Sequence, residues 1–165
     1  MALGTCMDTE IGRLYLAEED GRIVRLTMGP APAGDCMGVS PLLTRAAAQV
    51  REYLAGERKT FTVPLKAEGT PFQKTVWEAL WRIPYGRTRS YGEIAEEIGN
   101  PKGARAVGMA CNRNPILLLI PCHRVIGSTG KLVGFGCGLP VKEKLLSLEK
   151  RVEREACMEQ EPTEH

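Results

Sequence analysis

Cys122 and His123 are neighbours in the chain, and Arg124 follows them. A thiol beside an imidazole and a cation favours the thiolate, the form of cysteine that acts as a nucleophile. A lone Cys-His pair is more often packing than chemistry, so its setting matters. Residues 116–120 form an apolar run, Ile-Leu-Leu-Leu-Ile, expected as a buried strand or extended segment. Pro121 then restricts the backbone and delivers the pair from a stiff approach. Adjacent side chains of an extended chain point to opposite sides, so a proton passing from Cys122 to His123 calls for a water between them. His123 also needs an acidic partner to fix its tautomer. Glu149, at the end of a helix expected over residues 141–149, is the candidate.

The other cysteines (Cys6, Cys36, Cys111, Cys137 and Cys157) suggest neither a disulfide framework nor zinc. The first residues carry no signal-peptide pattern, which points to the cytoplasm, where disulfides are rare. No Cys-x-x-Cys pair occurs and His165 is the only other histidine, so a metal site lacks ligand spacing. Composition, 43% hydrophobic and 25% charged with no run long enough to span a bilayer, is that of a globular chain away from membranes. The last fifteen residues hold two Arg against five Glu, whereas Arg82 to Arg124 hold seven Lys or Arg against three Glu. That basic stretch is compatible with a phosphate-lined partner and equally with a solvated face.

The elements that must position these residues fall into two parts. Residues 12–28 read as two strands joined by the Asp20-Gly21 turn, followed by a loop over 29–39. Ser40-Pro41 opens a helix with an apolar stripe of Ala46, Ala47, Val50, Tyr53 and Leu54, which Gly56 stops. Residues 61–63 read as a short strand, and nothing up to about residue 65 suggests chemistry. Thr70 and Gln73 form a capping box for a helix in which Val76, Trp77, Leu80 and Trp81 recur as a core stripe. Ser90 and Glu93 cap a short helix, Gly99-Asn100-Pro101 breaks it, and a second helix runs from about Lys102 to Asn112. This is a helix-turn-helix layout, and small residues on the second helix (Gly103, Ala104, Gly108) allow close approach to a groove.

In Pro121-Cys122-His123-Arg124-Val125, with Phe72-Gln73, Ser90-Tyr91, Arg105-Ala106-Val107-Gly108, Asn114-Pro115, Lys142 and Glu149 in order, residues 70–149 resemble the O6-alkylguanine-DNA alkyltransferase family. The resemblance implies an α/β fold of two small domains. An N-terminal α/β (ribonuclease-H-like) domain would cover 1–65, a winged helix-turn-helix-like catalytic domain 66–150, and a polar, disordered tail 151–165. It implies a monomer that moves the alkyl group of O6-alkylguanine in double-stranded DNA irreversibly onto its own cysteine, once per molecule, with no cofactor. Cys122 would accept the group, His123 and Glu149 would complete a water-bridged relay, and Asn114 would hold the turn. Tyr91 would assist rotation of the nucleotide and hydrogen-bond guanine, and Arg105 would fill the stack from the minor groove. Ala104, Gly108 and Arg124 would also meet DNA, and Val125, Phe135 and Gly136 would line the base pocket. Phe135 stands where many members have Tyr.

Three rivals remain at this point. A non-catalytic helix-turn-helix protein would bind alkylated DNA without an acceptor cysteine. A cysteine hydrolase using Cys122, His123 and Asn114 would place its base far from its nucleophile in sequence. A transcription factor would need no reactive thiol.

Overall fold

In a computed structural model, described over residues 2–127 and 138–160, four strands open the chain: β1 (Leu3–Thr9), β2 (Gly12–Glu19), β3 (Arg22–Met28) and β4 (Cys36–Met37). They form one sheet in the order β3-β2-β1-β4. Asp20 and Gly21, both at positive φ, make the β2–β3 turn that their sequence predicts. β1 has no counterpart among the expected strands. It pairs along its whole length with β2, and its Gly4 leaves room for the Tyr15 ring and hydroxyl, with which a Cβ there would overlap.

One face of the sheet packs on α1 (Pro41–Leu54), which Ser40 caps by accepting the Leu43 N–H. Leu14, Leu16, Ile23 and Leu26 of the sheet and Val50 and Tyr53 of α1 are buried in a core that continues through Trp77, Leu80, Ile94, Val107 and Leu145. The two halves of the chain therefore share one hydrophobic interior. Residues 61–63 are not a strand. The buried Gln49 amide accepts the Thr62 N–H at Oε1 and donates from Nε2 to the Thr62 hydroxyl, so a side chain supplies the pairing that a neighbouring strand would give.

The second half contains α2 (Pro71–Trp81), β5 (Arg89–Ser90), α3 (Tyr91–Glu97), α4 (Ala104–Asn112), a 3-10 turn (Cys122–Arg124), β6 (Val125–Ile126) and α5 (Leu139–Gln160). Both expected capping boxes are formed. The tryptophans divide: Trp77 is buried and donates to the Ala110 carbonyl at 2.9 Å, but Trp81 is 50% exposed. α5 runs well past residue 149, so the disordered tail expected from residue 151 is helical up to Gln160. Its extra turns have partners: Val152 lies against Gly56, and Glu153 pairs with Lys59 at 3.0 Å. No helix among the described residues is long and apolar enough to cross a membrane.

Candidate active site

Asn114 organises the approach to Cys122. Its Oδ1 accepts the Ile116 N–H at 3.0 Å and its Nδ2 donates to the Ile120 carbonyl at 2.8 Å. These bonds close residues 116–120 into a turn, with Leu118 in the left-handed region (φ 68), where a strand or extended segment was expected. Only Ile116 keeps strand character, because Leu26 of β3 accepts from Leu117 and donates to Pro115. The strained turn is over-determined by its hydrogen bonds. Cys122 and His123 then lie in a 3-10 turn, not in extended chain, so the opposite-sides argument does not hold for them.

His123 is wholly buried, and its Nε2 meets Glu149 Oε2 at 2.7 Å. Nδ1 has no partner among the described residues. Glu149, 1% exposed on α5, also receives Arg124 Nε at 2.8 Å and Nη2 at 2.9 Å, the Gly86 N–H at 3.0 Å, and the Tyr53 hydroxyl. Burial alone would raise its pKa. The hydrogen bond and charge of His123, then those of Arg124, outweigh burial and hold it at about 2. Arg124 is 7% exposed and spends its remaining nitrogen on the Ile83 carbonyl at 2.8 Å. It is therefore paired inside the protein and does not reach out for a phosphate, which does not fit the DNA contact that the resemblance implied: a buried guanidinium needs a carboxylate, and this one has it.

Burial lowers the His123 pKa despite Glu149, so the ring is neutral near pH 7 and can accept a proton at Nδ1. Burial also pushes the Cys122 thiol up to about 11, against the opposing pull of the Asn114 hydrogen bond and the Lys142 charge. At pH 7 roughly one molecule in ten thousand would hold a thiolate unaided. The neighbouring cation does not make Cys122 a resting thiolate, and a base must take the proton as the reaction proceeds.

Towards α4, the Tyr91 ring lies 3.7 Å from the position of a Cβ on Gly108, and its hydroxyl is 3.4 Å from Lys142 Nζ. Lys142 is wholly buried and sits close enough to Cys122 and Cys111 for its charge to favour a thiolate at either. Arg105 is exposed on α4, beside half-buried Ala104 and Gly108, and Met109 on the same helix is 63% exposed. Val125 is buried with its N–H on the Cys122 carbonyl. Phe135, Gly136 and Cys137 lie outside the described residues. Among the described residues no three His, Cys, Asp or Glu side chains gather as a metal site.

Residues 71–151 match the family model "6-O-methylguanine DNA methyltransferase, DNA binding domain", and residues 3–67 match that of its ribonuclease-like domain. The chain belongs to the 6-O-methylguanine DNA methyltransferase family. The constitutive methylated-DNA–protein-cysteine methyltransferase of Bacillus subtilis (strain 168) is 45% identical over 155 residues, covering 88% of this chain and 94% of its own. The Methanosarcina acetivorans methylated-DNA–protein-cysteine methyltransferase is 62% identical over 104 residues, 63% of this chain and 67% of its own. The crystal structure of Mycobacterium tuberculosis OGT in complex with DNA superimposes with a TM-score of 0.85 at 45% identity, covering 91% of this chain and 94% of that one.

For this 6-O-methylguanine DNA methyltransferase family member, the sequence placed Cys122, His123, Asn114 and Glu149 in one site, and the fold brings them together. It missed Tyr53 and the Gly86 N–H, and it gave no role to Lys142, which stands in the matched pattern. Lys142 carried a signal, being a lysine at a position that proves wholly buried, in line with the apolar residues Val141 and Leu145 of the same helix. Tyr53 looked like one more apolar residue in the α1 stripe.

Proposed function

We propose that this chain repairs O6-alkylguanine in double-stranded DNA by transferring the alkyl group to Cys122. The observation that carries this reading is a buried thiol next in sequence to a neutral imidazole, whose Nε2 is anchored on Glu149 and whose Nδ1 is unengaged. The O6 position lies inside the duplex, so the nucleotide rotates out towards the site, at a cost of a few kcal/mol. Arg105, exposed on the nearly bare outer side of α4 with Ala104 and Gly108, takes the vacated place in the stack from the minor groove. The base then lies beside Tyr91 and against Val125.

The Cys122 proton passes through a water to His123 Nδ1, leaving a thiolate and an imidazolium stabilised by Glu149. The thiolate displaces guanine at the alkyl carbon: the S–C bond forms as the C–O6 bond breaks. A hydrogen bond or proton from Tyr91 to a guanine ring nitrogen eases departure of the base, since the Tyr91 pKa is raised to about 12, chiefly by burial, and its hydroxyl keeps its proton. The product is a thioether with no facile leaving group, so each molecule acts once, as a monomer in the cytoplasm. The non-catalytic alternative, binding alkylated DNA without removing the adduct, is not favoured, because it leaves the acceptor and its proton path without use.

Intact mass after mixing with duplex containing O6-methylguanine tests the reading. One methyl group per molecule should be gained, and Cys122→Ala should abolish the gain while duplex binding is retained, because phosphate and groove contacts do not involve the thiol. Transfer persisting in Cys122→Ala, with the label on Cys111 or Cys137, would falsify the assignment.

A further inference from the structure

Tyr53 lies in the last turn of α1, in the half of the chain that carries no other part of the site, yet its ring is wholly buried against it. The ring is edge-on to Tyr85, with centroids 6.0 Å apart, and 6.4 Å from the His123 ring. Its hydroxyl donates to Glu149 Oε2 and lies 3.3 Å from His123 Nε2. A hydroxyl has one hydrogen, and here the carboxylate takes it. What Tyr53 turns towards Nε2 is therefore a lone pair. Without its hydrogen, Nε2 would face two oxygens, Tyr53 Oη and Glu149 Oε2, both rich in electrons. With the hydrogen, it donates to them.

We infer that Tyr53 is a positioning residue for alkyl transfer: its hydroxyl, engaged by Glu149, locks His123 as the Nε2–H tautomer and so keeps Nδ1 bare for the Cys122 proton. The inference rests on the function proposed above and assigns part of its proton path to the N-terminal half. The hydroxyl cannot serve as a base, because burial, then the nearby Glu149, raises the Tyr53 pKa well above 10. The charged and titratable groups facing the cluster are Arg124 beside it, Lys142 and Glu149 from α5, Tyr85 from the loop before β5, and Cys122. Of these, Arg124 and the Gly86 N–H already cover Glu149 Oε1, whereas Oε2 relies on Tyr53, His123 and Arg124 Nη2. Losing the hydroxyl leaves Oε2 with a fuller charge against the imidazole. The ring then binds a second proton more readily, and its base form is lost at higher pH.

Tyr53→Phe in the full chain keeps the ring and removes the hydroxyl. The acid limb of the transfer rate on duplex carrying O6-methylguanine should move up by about one pH unit. The plateau should fall roughly threefold to tenfold, a small part of what a general base contributes. In a His123→Ala background the same substitution should leave the residual rate unchanged. The chain has two histidines, so 15N-histidine spectra of the wild type can be assigned with the help of a His165→Gln variant. They should show His123 as Nε2–H at neutral pH, and Tyr53→Phe should move it towards a tautomer mixture or imidazolium. Superimposable pH profiles, or a Tyr53→Phe loss that persists without His123, would overturn the inference. If Tyr53→Phe does not fold, an Nδ1–H tautomer in the wild type overturns it and an Nε2–H tautomer upholds it. A wild type that gains no methyl group sinks the proposed function itself. A wild type that transfers alongside an indistinguishable Tyr53→Phe sinks only the positioning role.

Discussion

Two clusters in this molecule each join a tyrosine and an arginine to a carboxylate, to different ends. On the far face of the sheet, Asp35 accepts the Tyr15 hydroxyl and bridges Arg25, at 2.8 and 2.9 Å. In the site, Glu149 accepts the Tyr53 hydroxyl and bridges Arg124. Both carboxyls are held below their usual range, Asp35 by its hydrogen bonds to Tyr15 and Arg25, Glu149 by those donors that overcome its burial. The first cluster ties a loop to a sheet. The second adds His123, a donor with a second nitrogen, and depth: its arginine side chain is 8% exposed where that of Arg25 is 35%. A carboxylate clasp becomes a proton path when one of its donors can accept on the opposite side.

The largest effect separating the two should come from Glu149→Gln, which keeps the shape but leaves Arg124 buried without a counter-charge. It should cost about 3–5 kcal/mol in denaturant unfolding and slow methyl transfer by about a hundredfold or more, since the general base loses its support. Unchanged stability would mean that the two clasps are alike after all.

Acid should distinguish them next. His123 is depressed below its ordinary 6.5, so as pH falls through 6.5 the unfolded chain takes up a proton that the folded one refuses, and stability drops. The depressed carboxyls contribute fully above their unfolded values, and their contribution fades as pH falls below about 4 towards the folded values. Unfolding free energy should therefore decline between pH 7 and 5 in the wild type and in Asp35→Asn, and decline less in His123→Gln. Equal slopes in all three would remove His123 from the account.

The smallest effect belongs to Asp35→Asn itself. Arg25 is partly solvated, and an amide oxygen can still accept from Tyr15, so about 1 kcal/mol is expected. Transfer at pH 7 should be unaltered. A rate loss matching that of Glu149→Gln would break the contrast.

What could be read in the sequence follows from how far each interaction reaches along the chain. The capping boxes of Thr70 with Gln73 and Ser90 with Glu93 join residues three apart, and both were legible. Asn114 and the 116–120 run were found, but not the turn they make, because apolar patterning does not report a side chain that captures backbone groups at both ends. The burial of Arg124 could not be read, because its counter-charge is 25 residues away on another helix. Tyr53 was invisible as chemistry for the same reason, with its partners 70 and 96 residues distant. β1 escaped because its apolar alternation is weak: Thr5, on the face that carries buried Met7, is only half covered, and so is Cys6 on the opposite face.

The bonds from Leu26 to Pro115 and Leu117 bear on the order in which the chain is made. β3 is an edge strand, and the groups of Leu26 that face outward find their partners only when the turn leading to Cys122 arrives. During synthesis that turn emerges nearly ninety residues after Leu26. Residues 64–66 cover the Ile23 end of that edge, but until the turn arrives the Leu26 end stays open, the kind of surface on which unfinished chains associate. The segment that delivers the nucleophile thus also finishes the seal on the sheet made first, and a gene cut between residues 67 and 70 would yield a first half with the Leu26 end of that edge still exposed.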